Sequence, residues 1–159
     1  MDELLNLLSQ NTALRPDQLA ARLNCSLQEV NDRLRELETS RTILGYHAIL
    51  NEEELGVNHV RAVIEVRITP EREGGFNRLA HRISKFPEVR SCYLMSGGYD
   101  LMVIIEGATL QQVALFVSEK LATIEGVLST STHFMLRAYK EQGILIQSEE
   151  APERLSVAP

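Results

Sequence analysis

Residues Val60 to Ile68, VRAVIEVRI, constrain the fold more than any other stretch. Val60, Ala62, Ile64, Val66 and Ile68 alternate with Arg61, Glu65 and Arg67, and Val63 alone is out of phase. Such alternation has a period of two, which suits an extended strand with one buried face. A slip of one residue would turn the whole apolar set to water, so the register is strongly specified. A lone strand is not stable, and this one needs partner strands and a layer to cover its apolar face.

The downstream sequence predicts both. After a turn region from Thr69-Pro70 to Gly74-Gly75, Phe76, Leu79, Ala80, Ile83 and Phe86 recur at helical spacing and stop at Pro87. Val89 to Met95 reads as a second strand, with Val89, Ser91, Tyr93 and Met95 alternating against Arg90, Cys92 and Leu94. Ser96-Gly97-Gly98 is a sharp turn, and Tyr99 to Glu106 is an almost wholly apolar third strand. Thr109 is placed to cap a helix whose stripe is Val113, Phe116, Val117 and Leu121, closed by Gly126. Val127 to Tyr139 is predicted as a long fourth strand. The order from 59 to 140 is therefore β-α-β-β-α-β. Two split βαβ units with right-handed crossovers fold into one antiparallel sheet with both helices on the same face, the ferredoxin-like arrangement. The opposite face still carries apolar residues, so a second copy of the sheet is expected to cover it, through faces or edges.

The upstream sequence changes period. Leu4, Leu5 and Leu8 form one stripe of a short helix begun by Asp2 and Glu3 and broken at Gln10-Asn11-Thr12. Arg15-Pro16-Asp17 opens a second helix with Leu19, Ala20 and Leu23 inside. Asn24-Cys25 is a turn, and Ser26 with Glu29 three residues on is a capping box. Val30, Leu34 and Leu37 then recur at i, i+4, i+7, opposite Gln28, Asn31, Asp32, Arg35 and Glu38. Two short helices around a tight turn have helix-turn-helix spacing, and the polar face of the second holds residues able to read base edges. Periodicity alone does not separate this from an ordinary three-helix packing unit with a solvated face. Ile43 to Leu50 is β-like and reads as a wing or linker strand.

Charge and composition bound the alternatives. The net charge is −6, and residues 1–50 hold five arginines against seven carboxylates, so a DNA-binding surface here would be weakly attractive as a whole. Cys25 and Cys92 lie far apart with no CxxC or Cys/His cluster, and His47, His59, His81 and His133 are scattered. Reduced thiols, no metal and no cofactor are therefore expected. No nucleophile–base pair, P-loop or G-x-G-x-x-G motif is present, so no enzyme is expected. There is no run of eighteen apolar residues, and the N-terminus MDELLNLLSQ lacks the basic start and cleavage site of a secretory signal, so a cytoplasmic protein with no membrane partner is expected. Four regions are expected: 1–50, a linker at 51–58, 59–142, and a polar tail at 143–159.

Four local patterns, in order, resemble the Lrp/AsnC family of bacterial and archaeal transcription regulators. They are Leu19-Ala20…Leu23 with Ser26…Val30…Arg33-Leu34…Leu37-Glu38; Ile43-Leu44-Gly45-Tyr46; Ser96-Gly97-Gly98-Tyr99-Asp100-Leu101; and Gly126-Val127 followed by Thr130-Ser131-Thr132. The resemblance spans roughly residues 2–142. It implies an α+β protein: a winged helix-turn-helix on double-stranded DNA, joined to a ferredoxin-like domain that senses ligand and oligomerises. It also implies dimers that assemble further, often as tetramers of dimers. The effector would be an amino acid or related metabolite held between dimers, near the Ser-Gly-Gly turn and the Thr-x-Thr strand.

On that reading Gln28, Asn31 and Arg35 face base edges, and Arg22, Arg33 and Arg41 face the DNA backbone. Arg33 has an alternative use, pairing with Glu29 or Asp32 on its own helix. The effector candidates are Gly97, Gly98, Tyr99, Asp100, Thr130 and Thr132: glycine amides approach an anion, Asp100 accepts from an α-amino group, and the threonines bond a carboxylate. The competing reading is a plain β-turn in which Asp100 satisfies local amides. Arg41 departs from the family, which has glycine at that corner. Arginine there must take a left-handed backbone at a cost of about 1 kcal/mol, or end the helix differently. The recognition helix is also acidic, with Glu29, Asp32, Glu36 and Glu38. Two alternatives follow: a co-regulator that hetero-oligomerises with a paralogue without touching DNA, and a sirohaem decarboxylase-like subunit. The second is disfavoured because the chain lacks tryptophan and carries Leu136-Arg137-Ala138-Tyr139-Lys140-Glu141 after the last strand.

Overall fold

The structure is a computed structural model that describes residues 2–56, 59–69 and 75–146. It divides into two compact units, Met1–Leu50 and Asn51–Pro159.

The first unit is three helices, α1 (Glu3–Gln10), α2 (Pro16–Leu23) and α3 (Leu27–Thr39). Each start is fixed by a local group. Asp2 Oδ1 accepts Leu4 N–H at 3.1 Å, Gln18 Oε1 accepts Arg15 N–H at 3.0 Å, and Ser26 and Glu29 form the reciprocal capping box. The core is Leu4, Leu8, Leu19, Ala20 and Val30, with Leu7, Leu14, Leu23, Leu34, Leu37 and Ile43 packed around it. Asn24 makes the turn between α2 and α3 with a left-handed backbone (φ 50°) that asparagine tolerates. Arg41 takes the left-handed conformation too (φ 59°), and past it Ile43 N–H donates to Leu37 O at 3.0 Å. The expected strand over Ile43–Leu50 does not form. A strand needs a hydrogen-bonding neighbour, and the rest of this unit is helical.

The second unit begins with a helical turn, α4 (Glu52–Leu55), where a linker was expected. It continues as β1 (Val60–Ile68), α5 (Gly75–Ser84), β2 (Val89–Leu94), β3 (Leu101–Gly107), α6 (Leu110–Leu115) with a π-helical extension Phe116–Leu121, and β4 (Val127–Phe134). The four strands make one antiparallel sheet in the order β2-β3-β1-β4. Ala62, Ile64, Val66 and Ile68 of β1 and Leu101, Val103 and Ile105 of β3 share a core with Leu79 and Ile83 of α5 and with Val113, Phe116 and Leu121. Both helices therefore cover one face. Opposite it stand Val63, Glu65, Met102, Ile104, Tyr93, Ser131 and His133, as the cross-strand register requires.

Several details depart from the sequence reading. A bulge between Val89 and Ser91 breaks the alternation of β2, so Val89 and Cys92 both pack on the core. α6 does not run on as a regular helix: Ala122 N–H donates to Val117 O at 2.8 Å, a five-residue step. β4 ends at Phe134 rather than Tyr139. Residues 140–145, in part assigned to the tail, form a hairpin of β5 (Lys140–Glu141) and β6 (Ile144–Leu145). Its turn residues, Gln142 (φ 45°) and Gly143 (φ 90°), both have the positive φ that suits a two-residue hairpin turn. The expected turn at 70–74 and the tail from 147 onward lie outside the described residues.

Candidate functional site

The face of α3 is built by the helix period. Val30 is 1% exposed, with Leu34 and Leu37 half-buried beside it, so Gln28, Asn31 and Arg35 at i, i+3, i+7 fall on the far side. Gln28 and Arg35 are exposed and Asn31 is half-buried. Arg22 and Arg41 are exposed as well. Arg33 pairs with Asp2, the cap of α1, and not with Glu29 or Asp32. Asp32 instead lies 3.8 Å from Arg35, three residues on. The acidity of the helix is partly used internally. Glu29 accepts Ser26 N–H at 2.8 Å and the Ser26 hydroxyl at 2.7 Å, and these bonds hold its carboxyl below the usual value. Glu38 accepts the Tyr46 hydroxyl at 3.0 Å. Partial burial first, then this bond to an anion, pushes the Tyr46 phenol up. The Ile43–Tyr46 exit thus pins the chain to α3 at two points, one apolar and one polar.

In the second unit the turn candidates gather at one end of the sheet. Met95 N–H donates to Asp100 O at 2.8 Å and closes the β2–β3 hairpin. Gly97 has φ 146°, and a Cβ built on either Gly97 or Gly98 would meet nothing within 4 Å, so both main chains face open space. Asp100 is tied to β1 twice: its N–H donates to Val66 O at 3.0 Å, and its Oδ2 accepts Ile68 N–H at 2.8 Å. That matches the local-amide reading of this carboxylate, with a donor that is local in space and distant in sequence. Thr130 and Thr132 pair with Val66 and Ile64 and share their face, the helix-covered one, on the edge strand β4. Val66 separates Leu101 from Thr130, so Asp100 and Thr130 stand about two strand spacings apart, on the order of 10 Å. Tyr99 is half-buried in the turn.

One charged cluster was not foreseen. Arg90 meets Glu106 through two bonds of 3.1 and 3.2 Å, and His59 (3.3 Å) and Arg61 (3.7 Å) approach the same carboxylate. The Arg90 bonds first, and then the nearby charges, hold Glu106 below the usual carboxyl value. Arg61 also binds Glu52 of α4 and lies 3.9 Å from Glu141 of the hairpin, so it joins three separate segments. The signal available in sequence was a single acid ending an otherwise apolar strand. Among the described residues no group of three or more His, Cys, Asp or Glu side chains could hold a metal, and no helix is long and apolar enough to cross a membrane. Cys25 and Cys92 are free and half-buried.

Comparison with known proteins places this arrangement. Residues 61–145 match the model of the Lrp/AsnC ligand binding domain. The HTH-type transcriptional regulator YugG of Bacillus subtilis is 39% identical over 158 residues, 99% of this chain and 95% of that protein. The proline dehydrogenase transcriptional activator of Rhizobium radiobacter is 29% identical over 142 residues, 89% of this chain and 90% of that one. Among solved structures, the transcriptional regulator NMB0573 of Neisseria meningitidis in complex with L-Met superposes with a TM-score of 0.68 at 26% identity, covering 89% of this chain and 93% of that one. These relatives are transcriptional regulators rather than enzymes. With a helix-covered antiparallel sheet matched over more than half its length and a near-full-length relative of this similarity, the chain belongs to the Lrp/AsnC family.

Proposed function

We propose that the chain is a sequence-specific, DNA-binding transcription regulator whose assembly responds to a small effector, an amino acid or a close metabolite. The observation that carries the reading is the far face of α3: Gln28, Asn31 and Arg35 on one stripe, after a tight left-handed turn and a preceding helix. That spacing supports a helix-turn-helix, with the second helix as reader. Arg22, Arg33 and Arg41 are the backbone candidates, and Arg33 must exchange Asp2 for a phosphate to serve. Residues 43–50, unpaired here, are the candidate wing. The protein works in the cytoplasm as a homo-oligomer, a dimer at least and a tetramer of dimers in the fuller assembly. Its reading helices then meet successive major grooves about 34 Å apart, and several weak copies act together. The effector is placed between dimers at Gly97, Gly98, Tyr99 and Asp100 with Thr130 and Thr132. The L-Met complex of the Neisseria relative supports an amino acid as the class.

Selection from a random duplex pool followed by footprinting tests the DNA reading, with Arg35→Ala as the diagnostic variant. A base-reading Arg35 gives a loss of about 1–3 kcal/mol on the selected site and relaxed preference at one position. Unchanged sequence preference removes Arg35 from the set. An absence of any enriched sequence favours the co-regulator that does not touch DNA, a reading kept in view by the Asp32–Arg35 pair on that same face. Thermal-shift titration with the twenty amino acids tests the effector: a stabilising hit supports it, and no hit removes it.

A further inference from the structure

At the opposite end of the β2–β3 hairpin from the turn lies a half-open cleft of about 350 Å³. That volume lies within the range of small-molecule sites. Ile105, Val113, Leu115 and Phe116 supply its apolar wall, and Glu88 and Lys120 stand at its polar end. Glu88 Oε1 is taken by the Lys120 ammonium. Glu88 Oε2 is buried and has no hydrogen-bond partner among the described residues. Burying a carboxylate oxygen without a donor is costly, so this atom calls for one.

Lys120 serves the other oxygen. Its Nζ is held by Glu88 and sits 5.9 Å from the ring centroids of both Phe86 and Phe116, themselves packed edge to face at 5.5 Å. The Lys120 bond also holds the Glu88 carboxyl below its usual value. Glu106 is already met by Arg90 and Arg61, and Glu88 Oε1 by Lys120, so the acceptor this cleft offers to a donor is Glu88 Oε2, with the exposed Glu119 as the further carboxylate of the lining. Phe116, Glu119 and Lys120 all come from the π-helical stretch, and such widened turns recur at functional sites.

We propose that this cleft binds the ammonium end of a small primary amine at Glu88 Oε2, with the amine's apolar body lying on Val113, Leu115 and Phe116. The site is independent of the effector reading above, since the β2–β3 hairpin separates the two by about 20 Å along the strand.

Methyl-labelled full-length protein, titrated with isoamylamine, L-leucine and 4-methylpentanoate, tests it. These three share one branched body and differ in charge. Isoamylamine should move the Ile105 and Val113 methyl signals saturably, and 4-methylpentanoate should not. L-leucine moving the same methyls extends the class to α-amino acids, and L-leucine leaving them still restricts it to free amines; either outcome supports an ammonium site. Glu88→Gln should weaken isoamylamine by about tenfold or more, as loss of a charge-assisted bond requires. Leu115→Trp, which fills the cleft from a largely exposed position, should abolish binding while the thermal melt is kept. Where Glu88→Gln fails to fold, Leu115→Trp alone decides. Unmoved methyls with isoamylamine, equal binding of the carboxylate, or full affinity in either folded variant overturns the proposal.

Discussion

Asp100→Ala isolates what the turn carboxylate does. Its Oδ2 accepts Ile68 N–H at 2.8 Å, and Ile68 is only 2% exposed, so water does not readily replace the lost acceptor. A hydrogen bond to a charged group contributes about 1.5–3 kcal/mol, and the stranded amide adds its own desolvation cost within that range. For a unit of this size the loss corresponds to a fall in Tm of roughly 6–24 °C. Asp100→Asn keeps an acceptor oxygen and gives up the charge, so about half the loss is expected. Thermal melts followed by circular dichroism give the magnitude, and amide hydrogen exchange gives the location. Ile68 should lose protection first, with the middle of β1 following only as the whole sheet weakens. If Asp100→Ala melts within about 0.5 kcal/mol of the parent and Ile68 stays protected, the carboxylate is not holding β1, and the reasoning fails. The pair also separates two readings of lost effector response. A response lost in Asp100→Asn with the fold intact points to ligand contact, whereas a response lost only in step with stability points to the sheet.

Three further outcomes are expected. Gly126→Ala should cost about 2–4 kcal/mol in thermal melts, since φ is 95° and the new Cβ would sit 2.8 Å from Leu79 Cδ1 in the core, while Gly98→Ala, with open space around it, should stay within about 0.5 kcal/mol. Arg41→Gly should stabilise the helical unit by about 1 kcal/mol by relieving a left-handed arginine, yet reduce the salt dependence of DNA binding by about one unit of slope if Arg41 meets a phosphate. Glu106 is depressed below the ordinary glutamate value of 4.5. Its contribution is present above that value and is lost as pH falls through the depressed one, so Glu106→Gln should flatten the acid limb of a stability-versus-pH curve measured in urea.

What could be read in advance was periodic. The alternation of β1, the stripes Leu79/Ile83 and Val113/Phe116/Leu121, and the capping residues Ser26 and Thr109 all express local rules, and the structure keeps them. What escaped was either aperiodic or distant. The bulge at Arg90 adds one residue to a pattern that reads the same without it. The π-helical step leaves Phe116 and Leu121 buried, as a regular helix stripe would have them. Gln142-Gly143 lacks the asparagine or aspartate that marks such turns, so the hairpin passed as tail. For the site, α3 was legible because its reading face is the complement of its buried one. Asp100 was ambiguous because its donor, Ile68, is 32 residues away. The alternative use of Arg33, a pair on its own helix, named the wrong partner because sequence spacing ranks near neighbours and says nothing of Asp2, 31 residues back.

The central position of β1 also has a consequence for biosynthesis. Its neighbours β3 and β4 both come later in the chain, and its last partner, Phe134, is made 66 residues after β1 ends. At about 5–20 residues per second, the ribosome leaves one edge of β1 without its native ladder for roughly 3–13 s. The strand is apolar on one face and has open main-chain donors and acceptors, the combination that pairs with other nascent chains. The three helices of residues 3–39, built from nearby contacts, do not have to wait. Chaperone demand during synthesis should therefore fall on the window between β1 and β4, and a pause before codon 134 should lower soluble yield more than one before codon 50.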